Sequence, residues 1–407
     1  SNDPGPGDDM MRWLSGTSRL CGLSMMIAML AGCMGQTSGS TPATTTTMSS
    51  SQTQQDQVLR GRALVVSGAC GDCHGPGTGN PAGAGWLVGW RSPQQDFPAG
   101  PFMTRPRNLT PDNATGIGRY SERQIFNALR YGLRPSATPD AEITSTVPGQ
   151  GNHPAKPNYL APTMPWVAWR HMPDADLRAI AAYLKHGLSP VSNKVEDSQA
   201  PPDFWASEMT AEKIGPYPVA PYPTANEVAG QGDQAKVLRG RALVVTKDCA
   251  GCHGGGPNPA AKGYLAGMTD STGEFKIGPF KTRPRNLTPD NTTGMGRFSE
   301  RQVFNSLRYG LRPGETPDVE ITSTTPGQGN FPALPKYLAV PMPWPTWRHM
   351  SDDDLWAIAA YLKHGVKPVS NRVADSEGPP DFWAGEYTVA KIGTYPAAPY
   401  PTAHERR

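Results

Sequence analysis

The chain has few long apolar runs: the longest, Leu20 to Leu30, is shorter than the roughly 20 residues a helix needs to cross a bilayer. Charge of one sign is scarce as well. A net charge of +3 over 407 residues is too small to argue for a nucleic acid or an anionic membrane face as partner. Spare cysteines are few: four of the six fall in two short motifs, which leaves only Cys21 and Cys33 and excludes a disulfide framework. No stretch shows sustained strand alternation bounded by hairpin turns, so an all-β fold is not expected. Turn formers are abundant instead, with 45 Gly and 44 Pro. That share stays below the roughly 25–30% that marks disorder and points to two or three loop-rich domains.

The two motifs are Cys70-Gly71-Asp72-Cys73-His74 and Cys249-Ala250-Gly251-Cys252-His253. A Cys-x-x-Cys-His run is the mark of covalent haem attachment, in which two thiols reach the two vinyl groups of one porphyrin edge and the adjacent imidazole binds iron. A redox dithiol has no need of the following histidine, and a zinc site needs further Cys or His ligands at matching spacing. The cofactors expected are therefore two covalent haem c groups, with His74 and His253 as iron ligands.

Residues 1–9 have the wrong charge for the start of an export signal, and the translation start is expected at Met10 or Met11. Arg12 and Arg19 then form a positive region before the apolar run, which ends in Leu30-Ala31-Gly32-Cys33. This sequence resembles the lipobox of bacterial lipoproteins, which implies a lipid on Cys33 and a periplasmic protein anchored to a membrane. Met34 after the cysteine resembles an outer-membrane address. The alternative is an ordinary cleaved signal. Residues 34–56, rich in Ser, Thr and Gln, read as a flexible tether.

From Gln57 the chain repeats itself. Gly61 to Val66 recurs at Gly240 to Val245, and Arg105 to Asp112 recurs at Arg283 to Asp290, with one residue lost in between. Two domains are expected, 57–228 and 236–404, with a linker at 229–235. Each opens with a helix, Val58 to Ser67 or Val237 to Thr246; in the first, Leu59, Ala63 and Val66 are expected inside. Ser121-Glu122-Arg123-Gln124 and Ser299-Glu300-Arg301-Gln302 are capping boxes that start amphipathic helices. Asp174 to Lys185 and Asp352 to Lys363 form a third pair, with Leu177, Ile180, Ala181 and Leu184 on one face.

The occupant of each iron's second face decides between electron transfer and open-site chemistry. A shared ligand must occur in both halves, which removes Met103, aligned with Lys281, and His153, aligned with Phe331. Met164 and Met342 are preferred, because each lies in a Tyr-Leu-Ala-x-x-Met-Pro-Trp loop stiffened by the following proline. His171/His349 and Met172/Met350 are the alternatives. Arg105 and Arg283, with Arg107 and Arg285, are candidates to pair with haem propionates. Trp166, Trp169, Trp344 and Trp347 are expected to pack or to donate from the indole.

Helix, Cys-x-x-Cys-His, Met loop and the final helix Asp-x-Asp-Leu-x-Ala-Ile-Ala-Ala-Tyr-Leu together make each half resemble a class I cytochrome c domain. That likeness implies a mainly α fold, a tandem repeat of two such domains with long Pro/Gly-rich loops, in which Gly61 and Gly240 mark where the first and last helices cross. More narrowly, Asn-Leu-Thr-Pro-Asp-Asn-x-Thr-Gly-x-Gly (108–118 and 286–296) with the Met-Pro-Trp loop is similar to cytochrome subunits of bacterial membrane dehydrogenases, including alcohol dehydrogenases. The chain differs from those subunits in having two haem motifs rather than three, and in the loops at 142–159 and 320–337. The likeness implies an electron carrier with redox proteins as partners: a dehydrogenase or quinol-oxidising complex as donor, a cytochrome or oxidase as acceptor. Alternatives are an integral dehydrogenase subunit, or a dihaem peroxidase-type enzyme, which would need two dissimilar sites where this sequence shows similar ones.

Overall fold

The structure, a computed structural model, describes residues 50–75, 79–90, 97–99, 102–196, 204–269, 273–277, 280–374 and 382–407. The expected leader, Cys33 and the tether up to residue 49 lie outside these residues. No helix among the described residues is long and apolar enough to cross a membrane.

The first half runs α1 (Ser50–Ser67), α2 (Cys70–His74), β1 (Phe97–Ala99), β2 (Phe102–Thr104), α3 (Glu122–Tyr131), α4 (Trp166–Trp169), α5 (Asp174–Ala182) and α6 (Ala211–Ile214). The second half repeats the order as α7 (Gln234–Thr246), α8 (Cys249–His253), β3 (Phe275–Ile277), β4 (Phe280–Thr282), α9 (Glu300–Tyr309), α10 (Trp344–Trp347), α11 (Asp352–Ala360) and α12 (Val389–Ile392). Helix α1 starts at Ser50, so residues 50–56 are helix where a tether was expected. The antiparallel hairpins β1–β2 and β3–β4 were not anticipated. Strands of three residues are too short to show the alternation by which a strand is read.

The capping boxes form as expected: the Gln124 backbone N–H donates to Ser121 Oγ at 3.1 Å, and the Ser121 N–H donates to Gln124 Oε1 at 3.0 Å. Helix α3 stops at Gly132, whose φ of 69° suits glycine. A Cβ there would lie 2.1 Å from the Trp166 ring, so the residue that ends α3 also makes room for α4.

Helices α1 and α5 cross through a glycine. A Cβ on Gly61 would lie 1.8 Å from the Ala179 carbonyl oxygen, and one on Gly240 would lie 1.9 Å from that of Ala357. Gly61→Val or Gly240→Val is expected to cost about 3 kcal/mol by forcing the helices apart, read as a lower denaturant midpoint. Because the crossing runs through the glycine, the stripe of α1 buried in its own half is Val58, Gly61 and Val65. Of the face expected inside, Val66 is buried in the first half's core, while the other two residues are not. Leu59 is 40% exposed, Ala63 is exposed, and Ala63 and Val66 border a cavity shared with Arg308 and His349 of the second half. Their counterparts Ala242 and Val245 border a cavity shared with His171 and Val219 of the first half. This neighbouring stripe faces the seam between the halves.

The seam is closed reciprocally by the two tails. Glu227, at the end of the first half, accepts from Arg241 Nε at 2.6 Å and from the Tyr361 hydroxyl at 2.5 Å in the second. Glu405, near the chain's end, accepts from Arg62 Nε at 2.6 Å and from the Tyr183 hydroxyl at 2.6 Å in the first. Both carboxylates are fully buried.

Candidate functional site

At the end of α1, Ala69 turns the chain with φ at 60°, and Asp248 does the same after α7 at 54°. The one-turn helices α2 and α8 follow immediately. Within each, the two cysteines stand three residues apart and so share a face. All four are free thiols. Burial pushes the Cys70 and Cys249 thiols up to about 12, so they are held as S–H, the form that adds across a vinyl group.

His74 and His253 are buried. Their Nδ1 atoms lie 2.7 Å from the carbonyl oxygens of Arg107 and Arg285 respectively. A carbonyl only accepts, so Nδ1 carries the proton and Nε2 keeps a lone pair for a metal. Burial pulls both imidazoles below their ordinary pKa, His253 to about 4. They are neutral at physiological pH.

The orienting carbonyls are themselves pinned. Asn108 Nδ2 donates to the Val191 carbonyl at 2.8 Å, and its Oδ1 accepts from the Thr110 N–H at 2.9 Å. Asn286 does the same with Val369 and Thr288, at 2.7 and 2.9 Å. Leu109 N–H donates to Leu87 O at 2.9 Å, and Leu287 N–H to Leu265 O at 2.8 Å. The Asn-Leu-Thr motif therefore fixes the carbonyl next to it in the chain, a role that sequence reasoning missed because it depends on contacts some 80 residues away.

Met164 and Met342 stand at the turns entering α4 and α10. Met164 packs on the same core cluster as Cys70, and Met342 on the same cluster as Cys249. Met172 and Met350 are buried members of those same two clusters, where a methionine also serves as filler. His171 and His349 border the seam cavities, and burial, with nearby arginines, pushes both down to about 3.

Trp166 is buried and stacked on Tyr159, with ring centroids 6.0 Å apart. Among the described residues, its Nε1 has no hydrogen-bond partner. Trp344 stacks on Tyr337 in the same way, at 5.8 Å. Trp347 is buried in the second core, and Trp169 packs against the first. Arg105 is half-buried on the segment after β2. Arg283 donates to Glu274 at 2.5 Å, and Lys281 shares that carboxylate at 2.9 Å. Arg107 and Arg285 donate to the carbonyls of Val195 and Val373, at 3.1 and 3.3 Å.

The donor set fits a covalent haem. Each motif offers two thiols on one face and an imidazole with Nε2 free for iron, and the first half adds an orphaned indole N–H. A zinc cluster does not fit: among the described residues, no group of three His, Cys, Asp or Glu side chains is placed to hold a metal ion.

The cytochrome c family model matches residues 237–365. The gluconate 2-dehydrogenase cytochrome c subunit of Pantoea cypripedii is 28% identical over 352 residues, which cover 83% of this chain and 67% of that protein. The quinone alcohol dehydrogenase cytochrome c subunit of Gluconobacter oxydans (strain 621H) is 25% identical over 311 residues, 75% of this chain and 54% of that one. The fructose dehydrogenase cytochrome subunit of Gluconobacter japonicus is 26% identical, with 62% and 45% covered. The chain thus spans about half the length of the last two.

Proposed function

We propose that the chain is a dihaem cytochrome c that moves single electrons. One haem would be held by Cys70, Cys73 and His74 with Met164 as the further iron ligand, and the other by Cys249, Cys252 and His253 with Met342 as the further iron ligand. The observation that carries this reading is the oriented histidine, found twice with the same carbonyl partner at the same distance. When bound, each iron supplies one-electron chemistry. The chain's own part is to fix the imidazole tautomer, to bury the ligands, and to close both iron faces so that substrate stays out. Arg105 and Arg283 would meet the propionates. For Arg283 that means sharing its guanidinium with Glu274.

In this reading the chain accepts electrons from a dehydrogenase or quinol-oxidising complex and delivers them to a cytochrome or oxidase. It works in the periplasm, held to a membrane through a lipid on Cys33, and Met34 after that cysteine points to the outer membrane. A subunit seated within a dehydrogenase complex is the second reading, favoured by the subunit names of the relatives. Co-purification with a flavin or quinone dehydrogenase from the native membrane separates the two. A peroxidase needs one open iron, which the matched ligands of the two halves disfavour.

The test is the absorption spectrum of the purified full chain. Two haems per chain, a far-red methionine-to-iron band of matching intensity, and no spectral change when carbon monoxide is added to the reduced protein are expected. Stoichiometric carbon monoxide binding would overturn the closed-site carrier.

A further inference from the structure

The two halves match closely along the seam, yet Lys247 and Asp248 break the match, standing where the first half has Gly68 and Ala69. Lys247 stands two residues before Cys249, where the first half has Gly68 two residues before Cys70. Its ammonium reaches across the seam: Nζ donates to the Ser67 carbonyl at 2.9 Å and to Ser67 Oγ at 3.3 Å. Ser67 ends α1, just ahead of the first haem motif, while the backbone of Lys247 leads into the second. The ammonium therefore sits between the two motifs, and it acts electrostatically on the sulfurs of both Cys70 and Cys249. A second contact joins the same surfaces, since the Thr346 hydroxyl donates to Asp72 inside the first motif at 3.2 Å.

No carboxylate among the described residues pairs directly with Lys247, and both partners on Ser67 are neutral. The buried Asp248 beside it opposes its effect at Cys249, and Asp72 opposes it more weakly at Cys70; burial pushes the Asp248 carboxyl up to about 7, which weakens that opposition. The acids whose field it feels, Asp176 and Asp354, are held by Arg60 at 2.5 Å and Arg239 at 2.6 Å. Burial draws the Lys247 ammonium down to about 8, which leaves it mostly charged at neutral pH.

We propose that Lys247 is a potential-setting residue shared by both haem sites: a buried cation between the two attachment motifs, in direct contact with neutral groups only, that favours the reduced state of each iron. The inference rests on the dihaem reading. Its physics is Coulombic. Reduction removes one positive charge from a haem, and a nearby cation in a poorly screened seam favours that change. Because the same charge serves both sites, removing it moves both potentials in one direction.

The experiment is a spectroelectrochemical titration of the full-length haem-loaded chain, comparing the parent with Lys247→Gln, Lys247→Met and Lys247→Arg at neutral pH, alongside a haem count per chain. Both midpoint potentials are expected to shift downward in the Gln and Met variants and to return toward the parent in the Arg variant, with two haems retained throughout. Two haems with unmoved potentials would overturn the proposal and leave the dihaem reading standing, as would a shift confined to one haem. A count of one haem in the parent would overturn the dihaem reading and the proposal with it. The two neutral variants differ in shape, so a folding defect in one leaves the other to decide.

Discussion

Met342→Ala is expected to bind about one carbon monoxide per chain after reduction, where the parent binds none, and Met164→Ala to do the same at the other iron. Alanine cannot reach iron, so the sixth position opens and the far-red band should fall by about half in either variant. The midpoint potential of the altered haem should drop, because loss of a thioether ligand removes its preference for the reduced metal. The experiment also decides between ligand candidates. If His349 or Met350 were the ligand, Met342→Ala would stay closed to carbon monoxide. Met350 is a buried member of the same cluster as Cys249 and Met342, and the His349 ring faces the other half, where its Cδ2 would lie 3.7 Å from a Cβ built on Gly79. Stability should change little by comparison, since Met164 and Met342 are only partly buried at the edges of their clusters.

What the sequence made legible is what local chemistry decides. Ser121 with Gln124 and Ser299 with Gln302 announce a helix start because both partners lie within one turn. Cys70, Cys73 and His74 announce haem because attachment needs that spacing, and duplication separated shared features from incidental ones. Gly61 was recognised as the crossing through resemblance, and the 1.8 Å approach to Ala179 shows why no side chain is tolerated there. Long-range features were hidden. The burial stripe of α1 was read correctly at Val66 but not at Leu59 and Ala63, because apolar periodicity cannot tell a face turned to its own half from one turned to the other. Asn108 stood out as part of a motif, but nothing local links it to the carbonyl that orients His74. Lys247 carries no local signal, and only the seam places it beside Ser67.

Glu405→Ala is expected to cost about 3–5 kcal/mol, the range for breaking a buried ion pair by deleting one partner. Its carboxylate has no solvent exposure, and the Arg62 side chain it pairs with is only 12% exposed, so the loss strands a buried guanidinium and the Tyr183 hydroxyl together. Glu227→Ala should cost a similar amount, since Arg241 and Tyr361 stand in the same relation to it. The two variants should differ in where the damage falls: Glu405→Ala exposes the first half's α1 and α5 to hydrogen exchange, and Glu227→Ala exposes α7 and α11, because each carboxylate closes the half it does not belong to. Replacing the first pair together, as Arg62→Met with Glu405→Leu, should recover much of the loss, since apolar residues remove both charges at once. A single-variant loss below about 1 kcal/mol in urea titration, the size of a surface pair, would show that the tails merely rest on the seam. A loss of the expected size would mean that the segment around Glu405 holds helix α1 in place through Arg62.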